Sequence, residues 1–489
     1  MSDDATSRYV PGLRVRTLRG FMLMGAQRAV SLLVTAAGGI VLARLLMPDL
    51  FGLYAIISFA VGLGVSFGDL GLGAALVQRR DLDPATSLAV AFTSNVALAA
   101  VLGAAIVGLA PTITGWFGLP PQAAAPLRCL ALLIPLAAFK MPSVVLLERG
   151  MKFPPLALAD TVDTVLFHGI AAIAAFAGAG VWSFVLGAVA ARLGGLAVLW
   201  TATRWRPTLC WRWTALAPIL RFGVLFQGNA LLAILRDSVV PTFVAAWSGV
   251  AAVGFLNWGA AVALLPLQMV SIAGKVLFPA LSKLQGSPQE FSQATERALN
   301  RVAIVLYPMA FFLFAGTESI VRPIYGDRWV PAIPAIRLFC VTTILGGTSS
   351  LLVHALYSLG RADTVFRLGL LWTALTWGLT LLLVPQFGFV GFALASACVS
   401  ATGILTFLAL RRSVPIRIFP PVRVPLAAGL ISAVFFAVLA KSWIHGIPSL
   451  LFGGCLAATV YVGLAFLMGG ATWRAELRGD WRRVWQGVP

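Results

Sequence analysis

Apolar runs of about 18 residues or more recur along the whole chain, separated by short turns rich in Gly, Pro and Arg. At about 1.5 Å of rise per residue, each run is long enough to cross a bilayer as a helix. The pattern predicts about fourteen spans, near residues 19–43, 52–78, 85–110, 124–147, 156–178, 181–202, 218–245, 251–277, 301–321, 334–358, 364–384, 388–410, 424–443 and 449–470. An all-α, polytopic membrane protein is therefore the expected fold class.

The polar positions between the runs set an orientation. With the N-terminus in the cytoplasm, the inner segments hold about 25 of the 36 basic residues, including Arg14, Arg79, Arg149, Arg204, Arg361, Arg411 and Arg482. The outer loops hold Arg44, Arg322, Arg328 and Lys441. Cytoplasmic loops carry the excess of Lys and Arg in membrane proteins, so both termini are expected in the cytoplasm.

Composition agrees. The 489 residues are 60% hydrophobic and 11% charged, whereas soluble globular chains carry about 25% charged residues. A net charge of +19 would suggest nucleic acid in a soluble protein. Here the basic residues sit where anionic head groups do, so lipid replaces nucleic acid as the expected partner. The five cysteines are isolated, without metal-ligand or disulfide spacing, and are expected to be small core residues. The N-terminus shows no short apolar stretch followed by a cleavage site. In the tail, Trp473, Leu477, Trp481 and Trp485 repeat every four residues beside arginines, suiting a helix on the cytoplasmic interface. The stretch "TRWRPTLCWRW" (203–213) reads similarly.

Two pairs of segments look alike. "MPDLFGLYAII" (47–57) matches "SGVAAVGFLNW" (248–258), and "GAGVWSFVLGAV" (178–189) matches "QFGFVGFALASAC" (386–398). These predict two related six-span lobes, 1–212 and 213–412, followed by an appended region, 413–489. Six spans return the chain to its starting side, so the pseudo-two-fold axis would run along the membrane normal. Two such lobes suit alternating access.

Charges inside the spans are the candidate chemistry, because an ionisable group at membrane depth costs at least a few kcal/mol without a partner, a cavity or a proton. Asp69, in "FGDLGLGAALVQRR" (67–80), lies roughly 15 Å from the basic border at Arg79, and Arg28 lies about as deep as a potential partner. Asp160 and Asp163 share a helix face and read either as a proton-carrying pair or as a shallow solvated one. Arg192 sits mid-span. Arg236 and Asp237 are neighbours pointing about 100° apart, so each is expected to need its own partner. Lys275 can snorkel. Arg28, Arg192, Arg236 and Lys275 form a candidate cationic lining for a diphosphate or other anion. Asp69, Asp160, Asp163 and Asp237 are candidates for ion coupling or for pairing with those cations. No P-loop, His-rich metal set or nucleophile elbow is present, so neither an enzyme nor a cofactor is expected.

The stretches "LARLLMPDLFGLYAI" (42–56), "FGDLGLGAALVQ" (67–78), "ALLPLQMVSIAGKVLFPALSKLQGSPQEF" (263–291) and "YGDRWVPAIPAIRLFC" (325–340) carry a family likeness. The chain resembles the oligosaccharide-lipid flippases of bacterial polysaccharide export, the Wzx-like branch of the MOP superfamily, and most of all the colanic-acid-exporter type. The resemblance covers nearly the whole length, including Arg28, Asp69 and Lys275. It implies an inner-membrane transporter that flips a polyprenyl-diphosphate oligosaccharide to the periplasmic leaflet, driven by an ion gradient. It also implies the polymerase and glycosyltransferase machinery as partners. A multidrug or cation antiporter and a lipid II flippase of the same superfamily are rival readings. A membrane-embedded polymerase or ligase and a structural scaffold are further ones.

Overall fold

The computed structural model describes residues 13–78, 84–214, 216–217, 219–220, 232–443 and 446–470, and among these there is helix but no strand. Two compact units divide the chain, Met1–Ile234 and Leu235–Pro489.

The first unit contains α1 (Leu13–Leu45), α2 (Pro48–Asp69), α3 (Leu72–Gln78), α4 (Pro84–Trp116), α5 (Ala124–Ala131), α6 (Leu133–Arg149), α7 (Phe153–Phe176) and α8 (Trp182–Thr203). The second contains α9 (Val250–Ala263), α10 (Leu267–Ser282), α11 (Pro288–Tyr325), α12 (Ile333–Ser358), α13 (Ala362–Phe387), α14 (Val390–Ala401), α15 (Ile404–Arg411), α16 (Phe419–Ser442) and α17 (Ile447–Met468). A π-helical turn, Val240–Val244, surrounds Pro241, which cannot donate a backbone hydrogen bond. Among the described residues, eleven helical segments are long and apolar enough to cross a membrane, and Val30–Leu45 and Val250–Ala263 are shorter apolar helices. Part of the seventh expected span, and the whole of the expected tail helix, lie outside the described residues.

Several expected spans are two helices in series. The run 52–78 breaks at Leu70 and Gly71, both with positive φ (45° and 70°). The run 251–277 breaks before Pro266, and 388–410 breaks at Thr402 and Gly403. At Gly403 the break is also a close approach, because a Cβ there would lie 2.8 Å from the Ser349 Cβ.

In the first unit, α7 and α8 meet through glycines. A Cβ on Gly187 would come within 2.7 Å of the Phe167 carbonyl, so only hydrogen permits this spacing. Tyr54 stacks on Phe184 at 4.7 Å beside the buried Leu42, Leu46 and Ala171. In the second unit, Val270, Phe291, Leu306, Leu352 and Leu410 belong to one core. The segment after α15 is tied to α11: Ser292 donates to the Pro415 carbonyl at 2.9 Å, and the Arg417 N–H donates to Glu296 Oε1 at 2.8 Å. The last two helices also belong here, since the Tyr461 hydroxyl donates to the Ile304 carbonyl at 2.9 Å.

Not every cysteine is a core residue, contrary to the expectation from sequence. Cys340 is buried, but Cys398 and Cys455 are exposed on the outside of their helices. An apolar run facing lipid has the same composition as one facing protein, so hydropathy does not separate the two.

Candidate functional site

The first unit encloses a cavity of about 570 Å³ whose lining includes Tyr54, Ser58, Asp163, His168 and Arg192. Its carboxylate is held by two cations from different helices. Lys140 Nζ on α6 donates to Asp163 Oδ2 at 3.1 Å, and Arg192 on α8 places a guanidinium nitrogen 3.8 Å from the same oxygen. The second distance exceeds a hydrogen bond, so it is an ion-pair contact. Asp163 Oδ1 is buried and accepts no hydrogen bond from any described residue. Asp163 and Arg192 line the cavity, Lys140 reaches the same carboxylate without lining it, and the three side chains together carry one net positive charge.

Local sequence produces this arrangement. Asp163 projects toward α8 because the facing position is Gly195, where a Cβ would overlap Asp163 Oδ1. Gly38 on α1 does the same for His168, with a Cβ there falling 2.5 Å from the imidazole. His168 Nδ1 is buried without a hydrogen bond among the described residues. The Lys140 and Asp163 side chains keep only 20% and 17% of their exposure, whereas Arg192 keeps 53% and can leave Asp163 for a ligand.

A second cavity of about 320 Å³ in the same unit is lined by Ser66, Asp69 and Asn95 among others. Asp69 accepts the backbone N–H groups of Gly71 and Gly73, so its carboxylate caps the first turn of α3 across the helix break. That is a structural use for the acid in "FGDLGLG". The expected partner, Arg28, has its side chain outside the described residues, as does Lys275.

The remaining candidates fall apart spatially. Asp160 is exposed and forms no ion pair with a described residue, while Asp163 faces the cavity. Arg236 and Asp237 do not need separate partners, because Arg236 Nε donates to Asp237 Oδ1 at 2.9 Å. The 100° divergence of neighbouring Cβ atoms underestimated a side chain long enough to fold back on its neighbour. Both residues are exposed. Lys140 was missed from sequence, although a lysine inside "LIPLAAFKMPSVVLL" (133–147) is itself the signal that an intramembrane cation gives.

A helical bundle with broken spans and a charged cavity within one unit describes a transporter-type membrane fold. The chain matches the family described as "Polysaccharide biosynthesis protein" over residues 41–334, more than half its length, and it belongs to that family. It is 26% identical over 341 residues to the succinoglycan biosynthesis transport protein ExoT of Rhizobium meliloti (strain 1021), covering 69% of this chain and 68% of that one. It is 23% identical over 334 residues to the lipopolysaccharide biosynthesis protein WzxC of Escherichia coli (strain K12), covering 67% of each. Among solved structures, lipid II flippase MurJ in an inward closed conformation superposes with a TM-score of 0.75 at 14% identity, over 92% of this chain and 99% of that one. At that identity the likeness concerns the fold alone.

Proposed function

We propose that the chain flips a polyprenyl-diphosphate-linked oligosaccharide across the bacterial inner membrane by alternating access, with both termini in the cytoplasm. Membership of the polysaccharide biosynthesis family and the MOP fold support the substrate class. The observation that carries the site is Asp163 in the wall of the first-unit cavity, a single carboxylate on which Arg192 of the same wall and Lys140 converge. The two cations bind the diphosphate, as guanidinium and ammonium groups match phosphate oxygens in charge and donor geometry. Asp163 is the built-in counter-anion: it holds Lys140 and Arg192 when substrate has left and competes for them when substrate arrives. That competition weakens binding enough for release on the far side. The same cationic role is proposed for Arg28 and Lys275, and to a smaller degree for Arg236, whose charge Asp237 already offsets. The lobes of the transport cycle are proposed to be spans 1–6 and 7–12, with the last two spans appended.

The test is accumulation of lipid-linked oligosaccharide in a deletion strain complemented at matched expression. Repeat units should be trapped in the deletion, cleared by wild type, and still trapped with Lys140→Gln/Arg192→Gln. A deletion that traps nothing and leaves surface polysaccharide unchanged contradicts the substrate assignment and favours the antiporter reading.

A further inference from the structure

The second unit has its own charged cavity, remote in sequence from the residues discussed above. About 420 Å³ in size, it is lined by Glu318, Ser319 and Arg322 from the end of α11, Arg337 from the start of α12, and Lys441 from the end of α16. Three helices thus bring one cation each to a single level of the membrane. All three positions lie within about a turn or two of a helix end, so the level is that of the head groups and not of the hydrocarbon core. Trp443, half-exposed two residues beyond Lys441, fits the same depth, since tryptophan gathers at membrane interfaces.

The charges are unevenly satisfied. Arg322 Nε donates to Glu318 at 3.0 Å, and another of its guanidinium nitrogens donates to Asp327 at 2.7 Å. Arg337 Nε is buried and has no acceptor among the described residues. A buried donor without an acceptor is costly, so this guanidinium is arranged for an acceptor supplied from outside the chain. Lys441 is exposed and makes no ion pair with a described residue. Three cations against the two carboxylates of Glu318 and Asp327 leave one net positive charge. The rest of the wall includes Ala315, Pro323, Ala437 and Ala440, an apolar seam contributed by α11 and α16.

We propose that this cavity is a binding site for an anionic phospholipid, with the phosphodiester on Arg337 and Lys441 and an acyl chain along the alanine seam. One net positive charge matches the single negative charge of a phosphodiester such as phosphatidylglycerol. The site faces the periplasmic leaflet if the termini are cytoplasmic, but the binding chemistry is independent of that orientation and of the transported substrate. Basic pockets between spanning helices bind anionic head groups on the cytoplasmic or matrix side of other membranes; this site would offer the same chemistry to the opposite leaflet.

The experiment is native mass spectrometry of the full chain in detergent, titrated with phosphatidylglycerol or with phosphatidylcholine of the same acyl chains. Wild type should retain phosphatidylglycerol in preference to phosphatidylcholine. Arg337→Gln and, separately, the exposed-site variant Lys441→Ala should each lower that retention by about tenfold, the loss of one charge-assisted contact. Lys441→Ala is the safeguard should Arg337→Gln fail to fold. Equal retention of the two lipids, or unchanged retention in a folded variant, would overturn the proposal. A third arm adds a polyprenyl diphosphate: if it displaces phosphatidylglycerol and its own binding falls in the Lys441 variant, the cavity belongs to the transported lipid and the proposal fails. A wild-type chain that retains phosphatidylglycerol but transports no polyprenyl diphosphate would instead count against the function proposed above and leave this site standing.

Discussion

In the first unit, charged groups meet inside the helices: Lys140 and Arg192 reach Asp163 of the cavity wall, and Asp69 caps a helix break. The second unit ties its described interior mainly with hydroxyls, a device the first unit also uses where Ser143 and Thr203 meet at 3.0 Å. Tyr307 and Thr348 share a hydrogen bond of 3.0 Å, Ser349 and Thr406 another of 3.0 Å, and Thr343 donates to the Ala263 carbonyl at 2.7 Å. One packing device is common to both. Gly38 admits His168 in the first unit, and Gly274 admits His354 in the second. Hydroxyls satisfy one another at little cost and hold helices together. Charges at the same depth are costly unless they are paired, hydrogen-bonded or open to a cavity. On the function proposed above, the ligand chemistry lies inside the first unit, while the hydroxyl pairs of the second serve packing.

The largest effect should come from separating the charged pair. Lys140→Ala leaves Asp163 with only the longer Arg192 contact and should destabilise the protein by about 3 kcal/mol, read as a lower unfolding temperature in detergent. Lys140→Met/Asp163→Leu should recover most of that stability, because an apolar pair needs no partner, yet transport should stay lost. Transport by the double variant at the wild-type rate would reduce the first-unit charges to the structural role assigned to the second unit's hydroxyls. A smaller effect is expected on the other side of the comparison. Tyr307→Phe removes one hydroxyl from a neutral pair and should cost about 1 kcal/mol of stability with transport rates unchanged. A transport defect in a stable Tyr307→Phe protein would erase the division between the units.

The spans were legible because hydropathy over some twenty residues reflects what a bilayer demands of any crossing segment. The breaks were not, since Leu70–Gly71 and Leu264–Pro266 interrupt the backbone without interrupting the apolar run. Asp69 shows the consequence: read as a charge in a continuous helix it needs a cation, but read at a break it finds two backbone N–H groups. Of the site, Asp163 and Arg192 were visible as deep charges, and pairing between them was one of the readings left open. Lys140 was overlooked. Its meeting with Asp163 is a contact between two different helices, α6 and α7, which spacing along one helix cannot reveal. Arg236 and Asp237 failed in the opposite direction, through a side-chain length that a helical wheel ignores.

The most direct test is the affinity of the purified protein for a short-chain, water-soluble prenyl diphosphate, by calorimetry, in wild type, Lys140→Gln/Arg192→Gln and Asp163→Asn. The account predicts that the double variant loses binding and that Asp163→Asn binds more tightly than wild type, because its carboxylate no longer competes for the cations. Equal affinity in all three proteins, or weaker binding in Asp163→Asn, would contradict a first-unit diphosphate site with Asp163 as its counter-anion.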